Sequence, residues 1–152
     1  MDKILRIDVG ADGGPALREE PVGDYAGIGG RALTSTIVCK EVPADCHPLG
    51  PENKLVIAPG LLSGTAAVTS GRLSVGCKSP LTGGIKEANS GGQGAQVLAR
   101  LGYAAIVLEG EWNGEDLYKV TITKDGATIE TANELKMKTN YQLMRNFRNL
   151  RF

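Results

Sequence analysis

The sequence predicts a glycine-rich α+β domain built from short, tightly turned strands and a few helices. Three observations carry this. Glycine supplies 21 of 152 residues, about twice its usual share. Aromatic side chains are scarce, with one Trp, two Phe and four Tyr. Apolar alternation comes in short runs broken by Gly, Pro, Asn and Asp, and only a few stretches show helical spacing.

The elements follow in order. Lys3–Val9 (KILRIDV) alternates as a strand, Asp12-Gly13-Gly14 turns the chain, and Ala16–Pro21 returns as the second arm of a hairpin. After Gly27, Gly29 and Gly30, the residues Leu33, Ile37 and Val38 share one helical face. That helix ends near Val42, because Pro43 disfavours its continuation. Asp45–Asn53 is a Pro/Gly-rich loop, Lys54–Ala58 a short apolar strand, and Gly60–Gly71 a long polar connection. Arg72–Lys78 alternates as a strand, Thr82–Gly84 turns, and a short strand continues through Glu87. Gly91-Gly92 opens a helix with Val97, Leu98 and Leu101 on its apolar face, closed by Gly102. Ala104–Leu108 is continuously apolar and reads as a central strand. Leu117–Thr123 and Ala127–Thr131 form a hairpin around Lys124-Asp125-Gly126, with a type I′ turn signal. In the tail, Thr139 and Gln142 have capping-box spacing, and Leu143, Phe147 and Leu150 share a face beside Arg145, Arg148 and Arg151.

Composition excludes several classes. The length is that of one ordinary domain, large enough to bury a core without a staple. Seventeen basic residues balance seventeen acidic ones, so no global basic field supports nucleic-acid binding. No apolar run is long enough to span a membrane. The start, MDKILRIDVG, lacks the apolar centre of a signal peptide, which makes the cytoplasm the default location. Cys39, Cys46 and Cys77 form no CxxC pair, and each reads as a reduced small hydrophobe. The single His47 lies in a Pro-flanked loop, and Asp and Glu are scattered as on solvated faces. No catalytic constellation emerges from the residues.

Three stretches imitate phosphate loops. Gly27–Ala32 (GIGGRA) matches G-x-G-x-x-A, but PVGDY is a poor strand to precede it. Gly71–Ser79 (GRLSVGCKS) nearly matches a P-loop. There Cys77 breaks the spacing, and Pro80 stands where a helix must open. Asn89–Gly94 (NSGGQG) is the best candidate on physical grounds. Successive glycines let main-chain N–H groups face one anion, a following helix adds its N-terminal partial charge, and Arg72 supplies a planar fork. The alternative reading, that these glycines only turn the chain between short strands, stands beside it.

Four stretches carry a family resemblance: GIGGRALTSTIVCKEVP, HPLGPENKLVIAPGLLSGT, SGRLSVGCKSPLTGGI and EANSGGQGAQVLARLGYAAIVLEG. In this order they resemble the N-terminal domain of the tungsten-containing aldehyde ferredoxin oxidoreductases, and the similarity covers Lys3–Thr131. The resemblance implies an α+β fold of paired β-sheets with a few short helices. It implies residues 1–132 as a domain on which a tungsten (or molybdenum) bis-pyranopterin lies, its phosphates bridged by Mg. Residues 133–152 become a helical tail leading towards further domains. Arg72, by its place in the family's Gly-Gly-Arg stretch, is implied to contact pterin phosphate. Asn89, Ser90, Gly91 and Gly92 are implied to form the magnesium–phosphate loop. The [4Fe-4S] cluster of the family takes its cysteines from later domains and is not ligated by this chain.

Two departures stand out. Ser70 replaces the first glycine before Arg72, and Gln93-Gly94-Ala95-Gln96 follows the loop where many members carry bulky residues. The resemblance implies aldehyde oxidation to a carboxylic acid, with electrons passing through the cluster to ferredoxin, and a chain that is inactive without its C-terminal domains. A separate subunit docking on a complementary chain, and a non-redox pterin- or phosphate-binding module, are the alternatives. A lone half-site would expose the surface that faces the other domains, and homo-oligomerisation through that face is expected of it.

Overall fold

In a computed structural model, residues 1–147 are described. The chain divides into two compact units, Met1–Trp112 and Asn113–Phe152.

The first unit is built on a six-stranded mixed sheet. Its strands are β1 (Lys3–Asp8), β2 (Ala16–Pro21), β3 (Leu55–Pro59), β4 (Arg72–Lys78), β5 (Ile85–Gly91) and β6 (Tyr103–Glu109), in the order β2-β1-β6-β3-β4-β5. β6 runs parallel to β1 and antiparallel to β3, and every other pairing is antiparallel. Its central place accounts for the unbroken apolar run, since both faces are covered and neither needs polar alternation.

Helix α1 (Gly30–Glu41) packs on β3 and β4. Its buried face is Leu33, Thr34, Ile37 and Val38, the expected stripe plus one threonine. Leu33, Ile37 and Val38 join Ile4, Val56, Ala58, Ala105 and Val107 in the core. Each fully buried aliphatic side chain stabilises by about 1.5–3 kcal/mol. α1 lies so close to β4 that a Cβ at Gly76 would stand 2.8 Å from Thr34 Cβ. Val42 N–H still donates to Val38 O, and the helix stops before Pro43.

Helix α2 (Gly94–Arg100) buries Ala95, Leu98 and Ala99 rather than Val97 and Leu101. The helix begins three residues later than the sequence reading, and Ala95, Leu98 and Ala99 at i, i+3 and i+4 form its buried stripe. Gly102 closes it at φ 89°, its N–H donating to Ala99 O.

The second unit holds the hairpin β7 (Tyr118–Thr123) and β8 (Gly126–Thr131) and helix α3 (Asn140–Phe147). The expected type I′ turn is not formed. Neither Lys124 nor Asp125 has a positive φ, and Gly126 alone takes it, at 127°. Thr123 Oγ1 accepts the Asp125 N–H and holds the turn in its right-handed form. The capping-box spacing is realised: Thr139 N–H donates to Gln142 Oε1 at 2.8 Å. Arg148, Leu150 and Arg151 lie outside the described residues.

Candidate functional site

The β4–β5 hairpin brings the sequence-predicted residues together. Alternation in RLSVGCK makes β4, and Ser79 shapes the turn, its Oγ accepting the N–H groups of Leu81 and Thr82. The register sets Arg72 opposite Gly91, Leu73 opposite Ser90 and Ser74 opposite Asn89. By alternation Arg72, Ser74, Glu87 and Asn89 share one face, while Ser90 shares the other with Leu73.

This corrects the reading of Gly91-Gly92 as a helix opening. β5 continues to Gly91 because β4 reaches back to Arg72 and offers a pairing partner at every step. The amides of residues 89–91 therefore alternate in direction instead of converging on one point. Gly92 follows at φ 110°, and the helix starts at Gly94.

Arg72, Asn89, Ser90, Gly91 and Gly92 are all exposed. The Arg72 guanidinium makes no hydrogen bond or ion pair among the described residues. Gly91 has neither a positive φ nor a neighbour within 4 Å of an added Cβ. Glycine in a strand interior costs about 0.5–1 kcal/mol against alanine, and nothing in the fold asks for it there. Such a position fits the close approach of a foreign group to the main chain.

The segment before Arg72 is braced. A Cβ on Gly71 would stand 2.8 Å from Gly92 O, so the start of β4 presses on the end of the hairpin. Gln96, from α2, accepts the Gly64 N–H at 2.5 Å and donates to Ser70 Oγ at 3.2 Å. Ser63 Oγ donates to Ser70 O at 2.8 Å. Gln96 thus ties the connection between β3 and β4 to the helix beside it. Ser74, Glu87 and Gln96 were not legible as site residues, because their partners lie on other elements.

A second polar cluster corrects the picture of scattered acids. Glu20, Glu41 and Glu109 converge on Arg6 and Lys54. Arg6 Nη1 and Nη2 donate to the two Glu41 oxygens at 2.7 and 2.8 Å, and Arg6 Nε donates to Glu20 at 2.6 Å. Lys54 Nζ bridges Glu41 at 2.9 Å and Glu109 at 2.6 Å. Tyr25 O–H donates to Glu41 Oε1 at 2.8 Å. Burial pushes the Glu41 carboxyl up, but donors from Arg6, Lys54 and Tyr25 overcome it and hold it at about 2. Burial, then the hydrogen bond to Glu41, pushes Tyr25 up to about 12. Hydrogen bonds to Glu41 raise Arg6. Lys54 is raised as well, since Glu109 and Glu41 outweigh its burial. Every member has a partner, so the cluster reads as structural rather than catalytic.

Cys39 is exposed, Cys77 half-buried and Cys46 buried. His47 Nδ1 accepts the Leu49 N–H. Among the described residues no group of three His, Cys, Asp or Glu side chains is placed to hold a metal ion, and no helix is long and apolar enough to cross a membrane.

Comparison with known proteins agrees with this architecture. The tungsten-containing aldehyde ferredoxin oxidoreductase of Thermococcus kodakarensis is 44% identical over 108 residues, covering 71% of this chain and 18% of the relative. That of Pyrococcus furiosus is 51% identical over 84 residues, covering 55% of this chain and 14% of the relative. The chain thus spans less than a fifth of the curated relatives it matches. Among solved structures, the BamBC active-site complex of benzoyl coenzyme A reductase with 1,5-dienoyl-CoA superposes with a TM-score of 0.85 at 27% identity, over 99% of this chain and 23% of that one. The family described as aldehyde ferredoxin oxidoreductase, N-terminal domain, matches residues 4–150, and this chain belongs to it.

Proposed function

We propose that the chain forms the seat of a tungsten bis-pyranopterin cofactor, and that the Arg72/Asn89/Gly91 face takes its phosphate end. The observation that carries this is the pairing of Arg72, a guanidinium without an ion-pair partner among the described residues, with Gly91, a strand glycine the fold does not need. These residues suit the group. A planar fork binds phosphate in two-pronged fashion, and two glycines leave the main chain open beside it. When bound, the cofactor supplies the two-electron oxidation of an aldehyde to a carboxylic acid, with a [4Fe-4S] cluster held elsewhere relaying electrons to ferredoxin.

The chain's own part is to bind and orient. Arg72 neutralises phosphate charge, Gly91 and Gly92 admit the guest close to the strand, and Gln96 keeps the Arg72 approach in place. On this reading the acid/base groups lie in further domains, and the chain by itself is catalytically silent. Leu61, Leu62 and Val68 are exposed on the connection leading to Arg72 and suit cover by further domains or a complementary subunit.

A second reading draws on the benzoyl coenzyme A reductase complex: the same seat serving reduction of an aromatic thioester. The two differ in substrate, which other domains select. Co-expression with the remainder of the protein, followed by metal analysis and assay with aldehydes and aromatic CoA thioesters, separates them.

The seat itself is tested with the chain alone, by titrating magnesium pyrophosphate and following backbone amide shifts. Shifts centred on Arg72 and Asn89–Gly92, lost in Arg72→Ala, are expected. Shifts confined to other surfaces overturn the reading.

A further inference from the structure

The Asn89 side chain is gripped at both ends. Ser74 Oγ–H donates to Asn89 Oδ1 at 2.8 Å, and Asn89 Nδ2–H donates to Glu87 Oε2 at 2.7 Å. Ser74 is buried and stands opposite Asn89 in the register, and Glu87 precedes Asn89 by two residues on the same face of β5. The other Glu87 oxygen, Oε1, is closed off from water and has no hydrogen-bond partner among the described residues.

A buried acceptor left unsatisfied is a liability, so local stability gives no reason for a carboxylate at position 87. Orientation gives one. A hydroxyl serves either end of an amide, because it both donates and accepts. Ser74 alone would leave the Asn89 amide free to turn over. A carboxylate only accepts, and a turned amide would set Oδ1 against Glu87 Oε2, two acceptors facing each other.

We propose that Glu87 is a positioning residue whose carboxylate fixes the orientation of the Asn89 amide beside Arg72 and Gly91. The proposal rests on the reading of this face as a phosphate seat and names the group that sets its geometry. It assigns Asn89 a rigid place in that seat, with one amide hydrogen and one carbonyl lone pair already spent inside the protein.

The test uses the ¹⁵N-labelled chain and magnesium pyrophosphate as probe. In the wild type the Asn89 side-chain NH₂ protons exchange slowly with water and show proximity to the Glu87 side chain. Glu87→Ala accelerates that exchange and weakens pyrophosphate binding by about tenfold, the usual scale for losing a group that orients a ligand-binding side chain. Glu87→Gln keeps an acceptor oxygen but adds a donor that could serve a turned amide, so it should recover slow exchange and affinity only in part. Should Glu87→Ala not fold, exchange and proximity in the wild type and Glu87→Gln still decide. Unchanged exchange and affinity in Glu87→Ala, or a freely exchanging amide in the wild type, overturns the proposal. If the wild type binds no pyrophosphate while Glu87→Ala still frees the amide, the clamp stands and the phosphate seat falls.

Discussion

Arg6 and Glu41 form a two-pronged ion pair, guanidinium against carboxylate at 2.7 and 2.8 Å, linking the first strand to the C-terminal end of α1. Because the folded Glu41 carboxyl sits at about 2, against an ordinary 4.5, its stabilisation is present above pH 4.5 and fades as pH falls towards 2. The contribution is about 2 kcal/mol, allowing for the partial contact of this carboxylate with water. Tyr25 acts with opposite sign: raised to about 12, it contributes fully below pH 10 and loses that contribution as pH climbs through 12. Urea unfolding of wild type and Glu41→Gln should show a gap at pH 7 that narrows steadily below pH 4.5. A gap independent of pH would show that the pair does not govern acid stability.

Gly76→Ala should destabilise by about 1–3 kcal/mol through overpacking. An added Cβ would stand 2.8 Å from Thr34 Cβ and 2.9 Å from Thr34 Oγ1, and alanine at position 34 would remove only the second contact. Thr34→Ala is therefore expected to rescue Gly76→Ala only in part, because the Cβ contact remains. Full rescue in the double variant would mean that the Thr34 hydroxyl, not the backbone approach, sets the limit.

Lys78 is 7% exposed, and its ammonium donates to the carbonyls of Ala44 at 2.6 Å, Cys46 at 2.7 Å and Pro43 at 3.4 Å. None of these partners is a carboxylate. Lys78→Met should cost about 2–4 kcal/mol, because the carbonyls lose a charged donor. The loss should be nearly the same in low and high salt, unlike that of a surface ion pair. Calorimetry of both proteins at two ionic strengths measures it.

Gly91→Ala separates fold from function. With no neighbour within 4 Å and no positive φ, alanine should leave the melting temperature unchanged or raise stability by about 0.4–1 kcal/mol. The same substitution should weaken magnesium pyrophosphate binding if the main chain is approached there. A clear drop in melting temperature would remove the reason for assigning this glycine to a guest.

The strands and helices were legible where period alone decides them. Leu33, Ile37 and Val38 announce α1, and the alternation of Arg72–Lys78 gives β4 its observed bounds. β5 was cut short because KEANSG is polar and mixed in pattern, and what extends it is the length of β4 rather than anything local. The candidate site was legible as a neighbourhood, since its cation and glycines lie close in sequence. Its bracing was not: Gln96 and Glu87 matter through partners on separate elements. The Arg6 cluster was the least visible, because Glu20, Glu41 and Glu109 come from distant stretches and converge only once the sheet has formed.

The Arg6 cluster fastens β1, β2, β6, the lead into β3 and the end of α1, but none of its ionic contacts reaches β5. Hydrating charges becomes less favourable on warming, so linked ion pairs resist heat better than isolated ones. Warming should thus peel this sheet from the β5 side, with β1 and β6 the last amides to exchange. The proposed phosphate seat would then lie on the rim that yields first, where a bound guest adds most to the endurance of the whole.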